Sequence, residues 1–82
     1  MSGQEKSILS LAKCPVGRKA KVSHIHTDDR QALRKILAMG ALPDMDILLI
    51  QNFPSYVFQI GDNSRFSIDK ELASLIYVQT TQ

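Results

Sequence analysis

Eighty-two residues make one domain and leave no room for two. The single cysteine, Cys14, excludes an internal disulfide, and ten basic against eight acidic residues leave a formal charge of +2, too small in itself to imply nucleic acid. A hydrophobic share of 44% excludes a disordered chain, and the longest apolar run, Ile47-Leu48-Leu49-Ile50, falls far short of the roughly 20 residues a membrane span needs.

Residues 1–7 are polar and lack the apolar core of a signal peptide. They read as a disordered tail ahead of a folded domain at 8–82, in a soluble, cytoplasmic protein. Ile8, Leu9, Leu11 and Ala12 lead into a turn at Cys14-Pro15-Val16-Gly17. From Arg18 the pattern alternates, with Ala20 and Val22 on one side and Lys19, Lys21 and Ser23 on the other, as in a half-buried strand. Ile25 breaks that alternation, which predicts a bulge or strand end near His24.

A helix follows. Asp28 stands at its N-cap with Gln31 three residues on, in a capping-box-like pair. At 100° per residue Ala32, Leu33, Ile36, Leu37 and Met39 share one side, and Arg30, Gln31, Arg34 and Lys35 the other. Gly40 stops the helix and Pro43 keeps it from resuming. Leu33, Ile36 and Leu37 are therefore expected against the core. Strands are predicted at 47–51, 56–60, 65–68 and 75–79, the middle two joined in a hairpin by Gly61-Asp62-Asn63-Ser64. One helical turn capped by Asp69 precedes the last strand. Five short strands and a single inserted helix cannot build a parallel α/β sheet. They predict a mainly β domain, an antiparallel meander of about five strands curled into a small barrel, with one amphipathic α-helix after the first main strand.

These landmarks, in this order, resemble the ferrous iron transport protein A (FeoA) family. The likeness runs from Leu11 and Gly17 through Ala20-Lys21-Val22-Ser23-His24-Ile25 to Leu33, Leu37-Ala38-Met39-Gly40 and Leu42-Pro43. It continues with Phe58-Gln59-Ile60-Gly61, then 65–68, Ala73, Ile76 and Val78. The family's helix end closes on Gly-x-x-Pro-Gly, and here Asp44 replaces the second glycine. Aspartate is one of the few other residues that tolerate positive φ, so the turn survives the change. The resemblance implies an SH3-like barrel and an accessory role in ferrous iron uptake, with transition metals in the background. It also implies a partner, the cytoplasmic GTPase domain of a membrane ferrous iron transporter. A similar domain ends the iron-dependent transcriptional repressors, but only a short tail precedes Leu11 here, so a free-standing protein is expected.

The candidate chemistry is sparse. His24-x-His26 would project two imidazoles from one strand face, with Asp28 or Asp29 near enough to add an oxygen ligand. The plainer reading is a pair of solvated residues at a strand end, since a true site needs at least three protein ligands. No cofactor is required on either reading; the one ligand expectation is weak binding of divalent iron or zinc at His24 and His26. Cys14, beside Lys13 and Arg18, reads as a partly buried thiol more readily than as a reactive one.

Lys13, Arg18, Lys19, Lys21, Arg30, Arg34 and Lys35 make the first half basic, yet Phe53, Tyr56, Phe58, Phe66 and Tyr77 all lie in the second. Single-stranded nucleic acid binding interleaves the two, so no nucleic acid and no membrane insertion are expected. No nucleophile pairs with a base and no phosphate loop is present, so the chain is expected not to be an enzyme. What is left is surface. Phe53 and Tyr56 flank Pro54 at a loop tip, and with Arg30 and Arg34 they are the candidate partner-binding residues. The alternative function is a stand-alone metal-sensing or nucleic-acid-binding barrel. Self-association stays open.

Overall fold

The structure is a computed structural model that describes residues 6–81. Six strands form one antiparallel sheet: β1 (Lys6–Ser10), β2 (Lys19–Ile25), β3 (Asp46–Gln51), β4 (Tyr56–Ile60), β5 (Ser64–Ile68) and β6 (Ile76–Thr81). A 3-10 turn at Leu11–Lys13 follows β1. Helix α1 (Arg30–Ala38) lies between β2 and β3, and the short α2 (Lys70–Ala73) between β5 and β6. The sheet order is β1-β6-β2-β3-β4-β5, which leaves β1 and β5 as edges. One core cluster draws Val22 from β2, Leu49 from β3, Phe58 from β4, Ile68 from β5 and Val78 from β6. The sheet therefore wraps over a single interior while its two edges stay unjoined.

The mainly β class and the inserted helix are as the sequence indicates; the count is one strand higher. Of the expected tail, residues 1–5 lie outside the described residues. Residues 6 and 7 instead open β1, whose Leu9 and Ile8 pair with Val78 and Gln79 of β6. Ladder hydrogen bonds from a strand at the far end of the chain make this segment extended, and nothing local in its sequence announces that partner. The bulge expected near His24 is present, since the β2–β6 register shifts between Val22 and His24.

Two details of α1 correct the reading above. Its N-cap is Asp29 and not Asp28: the Asp29 carboxylate accepts from the N–H groups of Gln31 at 2.9 Å and Ala32 at 3.3 Å. The Asp29 N–H in turn donates to the Thr27 hydroxyl at 3.0 Å, which fixes the entry turn one residue later than the capping-box spacing suggests. Second, Ile36 is fully buried and Leu33 half-buried, but Leu37 is 39% exposed. A nine-residue helix meets the sheet along a narrow stripe, and residues 100° apart cannot both point down it. The stripe runs through Ile36. At the exit Gly40 takes φ +90°, where a side chain would be strained.

Asp44 takes φ +72°, as the proline turn requires. Its N–H donates to the Val22 carbonyl at 2.8 Å, and the Val22 N–H donates to the Met45 carbonyl at 2.9 Å. That exchange seals the return of the helix into β3. The local turn and the long-range ladder thus meet at one residue pair.

Candidate functional site

Strand β3 decides what can act together. Helix α1 enters β3 at its N-terminal end, whereas the 52–55 loop leaves from its C-terminal end. Six residues of strand, about 20 Å, separate the two. Arg30 and Arg34 are both exposed on α1, which precedes β3, and Phe53 is 82% exposed in the loop that follows it.

Phe53 and Tyr56 also part company. Tyr56 is half-buried, and its hydroxyl donates to the Ala12 carbonyl at 3.3 Å. A tyrosine can sit half-buried with its polar tip tied to a backbone carbonyl, as Tyr56 does. The Phe53–Pro54 peptide is cis. Among the candidate partner residues, then, Phe53 stands free at the loop and Tyr56 serves the fold.

The two histidines converge on one ring that sequence reasoning left out. His24 stacks flat on Tyr77, with ring centroids 5.0 Å apart and planes 6° from parallel, and His26 meets the same ring edge-on at 6.2 Å. The Ser23 hydroxyl lies 3.0 Å from Nδ1 of His24. Tyr77 faces away from the core-directed Ile76 and Val78, so strand alternation in β6 was the signal that could have found it. Among the described residues, no three His, Cys, Asp or Glu side chains gather as metal ligands. Asp29, one of the oxygen donors expected beside the histidines, is committed to capping α1.

Cys14 is 4% exposed, and burial pushes its thiol above the ordinary range, against a smaller downward pull from the Arg18 guanidinium. Near neutral pH it is a protonated core thiol, not a nucleophile or a thiolate ligand. Lys21 and Asp46 form an exposed ion pair at 2.8 Å. Their mutual hydrogen bond pushes the Lys21 ammonium up and holds the Asp46 carboxyl down. Such pairs contribute little stability in water.

Two shallow grooves mark the surface. The larger, about 570 Å³, runs between α1 and α2 past Asp29, Ala32, Lys35, Asp69 and Leu72. Its two aspartates are spent on helix caps, Asp69 accepting from the Leu72 N–H at 2.9 Å. The smaller, about 310 Å³, lies along Lys19, Ile47, Gln59 and Asp62. Neither brings a nucleophile to a base. Among the described residues no helix is long and apolar enough to cross a membrane.

A family model described as the FeoA domain matches residues 9–80. No curated protein matches the chain. Among solved structures, an iron uptake regulatory protein (FeoA) is 26% identical at a TM-score of 0.78, covering 88% of this chain and 95% of its own. The zinc complex of Stenotrophomonas maltophilia FeoA, described as a prokaryotic SH3 domain protein and suggested as a ferrous iron transport activating factor, is 18% identical. Its TM-score is 0.75, with 90% of this chain and 95% of that one covered. A manganese-dependent transcriptional repressor, at 22% identity and TM-score 0.80, shares the fold over 93% of this chain but only 43% of its own length.

Proposed function

We propose that this chain, which belongs to the FeoA family, is a non-catalytic, cytoplasmic accessory of ferrous iron uptake that binds and regulates the GTPase part of the membrane iron transporter. The observation that carries the reading is the match of the FeoA domain to residues 9–80, nearly the whole chain. The surface is consistent with it. The grooves are shallow, and Asp29, Asp69 and Asp46 in them are used within the fold, so what the molecule offers a second molecule is exposed side chains, Phe53 above all.

Divalent iron or zinc, on this reading, is held weakly by His24 and His26 if held at all by this chain. Two imidazoles packed on Tyr77 without a third gathered donor make a poor cage. Calorimetric titration with zinc near neutral pH checks this: binding is expected to be weak and to vanish in His24→Ala plus His26→Ala. Heat retained by that double variant would remove the histidines from consideration.

The test of the main proposal is direct association. The purified chain, titrated into the GTPase domain of a ferrous iron transporter from the same source, should bind saturably and change the rate of GTP hydrolysis. No binding would overturn the adaptor role. Affinity for single-stranded or duplex nucleic acid that falls steeply with added salt would favour the stand-alone barrel instead.

A further inference from the structure

Among the described residues Phe53 is the most exposed large hydrophobic side chain, at 82%. Apolar area kept in water is recovered only when something covers it. The neighbouring loop is fastened to both legs of the hairpin that carries this ring. On one side the Gly17 N–H donates to the Leu49 carbonyl of β3 at 2.8 Å; on the other the Tyr56 hydroxyl of β4 donates to the Ala12 carbonyl at 3.3 Å. Phe53 lies four residues from Leu49 and three from Tyr56, so the chain itself keeps it within about 14 Å and about 11 Å of them.

The same end of the sheet therefore carries Phe53, the 47% exposed Val16, and the exposed cations Lys13 and Arg18, while Lys19 lines the groove with Asp46 and Asp62. Residues 13–19 and 47–61 contain no carboxylate at all. An aromatic ring and an aliphatic side chain at the same end as two cations, with the nearby Asp69 carboxylate turned to its helix cap, have one complement. We propose that this end of the molecule is its docking surface, and that it fits a protein partner presenting an apolar pocket edged with carboxylates. The ring fills the pocket and the cations steer and align the encounter. The proposal rests on the adaptor reading and names the surface that reading uses.

A single-stranded nucleic acid is the weaker fit. Such ligands stack successive bases on several rings. Tyr56, Phe58, Phe66 and Tyr77 are all half or fully buried, which leaves Phe53 as the one exposed phenylalanine or tyrosine. Val16 offers no stacking face.

The experiment is a kinetic binding measurement on the purified transporter GTPase domain, at about 50 mM and about 300 mM salt. It compares wild type with Phe53→Ala, with Lys13→Glu plus Arg18→Glu, and with Arg30→Ala plus Arg34→Ala, each first shown by circular dichroism to be folded. Phe53→Gln stands in if the alanine variant loses its β signature. Phe53→Ala should weaken binding about tenfold or more, mainly through faster dissociation. The charge reversal should slow association and flatten its salt dependence, and the Arg30 and Arg34 pair, outside the proposed surface, should bind as wild type does. Wild-type binding that Phe53→Ala leaves unchanged would overturn the surface while leaving the adaptor role in place. Wild type failing to bind would overturn both. Binding to an oligouridine probe that Phe53→Ala abolishes would replace the protein partner with a nucleic acid.

Discussion

Phe58→Ala should destabilise the domain by about 3–5 kcal/mol, the largest loss expected from any single side chain here. Phe58 is fully buried on β4, paired across the sheet with Leu49 of β3 and Phe66 of β5. Its ring lies 5.9 Å from that of Phe66, in a tilted contact. Alanine would forfeit both the burial of the ring and the contacts of its neighbours around the void, since packed cores collapse only in part. Total stabilities of small domains run to about 5–15 kcal/mol, and no disulfide lies in reserve. The variant should therefore be partly unfolded at ambient temperature. Urea denaturation followed by circular dichroism measures it, with Phe53→Ala as the matched control at an 82% exposed position. The control should move by less than about 0.5 kcal/mol. A loss below about 1 kcal/mol at Phe58 would mean that β4 does not centre the core.

Much of this fold is legible in the sequence because local signals carry it. Ala20 and Val22 alternate with lysines and are buried, and Ile25 breaks the pattern where the bulge falls. Gly40 and Asp44 both take positive φ where the helix must end and the chain must turn. Strand β1 is hidden for the opposite reason: its partner sits at the other end of the chain, and pairing over that separation leaves no local trace. The helix cap missed by one residue because two aspartates adjoin, and the Thr27 hydroxyl selects the second. The candidate partner residues differ in their surroundings for similarly local reasons. Phe53 and Tyr56 look equivalent beside a proline, yet only the tyrosine has a hydroxyl to reach Ala12. Arg30 and Arg34 stand exposed on α1, which precedes β3, whereas the loop with Phe53 follows it.

The helix offers the second large effect, and it separates two adjacent residues. Ile36→Ala should cost about 2–5 kcal/mol, while Leu37→Ala should cost less than about 1 kcal/mol, with the half-buried Leu33→Ala between them. A helix of nine residues is too short to persist in water by itself, so α1 exists because its apolar stripe is covered. Ile36 is fully buried at the centre of that stripe, and its carbonyl accepts from the Met39 N–H at 3.1 Å. The next turn inward begins at Ala41, also fully buried, so losing Ile36 loosens both the helix and its exit. Leu37, at 39% exposure, keeps much of its side chain in water and leaves little cavity when shortened. Urea denaturation of the three variants checks the order, and helical circular dichroism shows whether α1 is lost before the sheet. Equal losses at Leu37 and Ile36 would mean the helix is rolled by about 100° from the orientation described. Arg30 and Arg34 would then face a different direction.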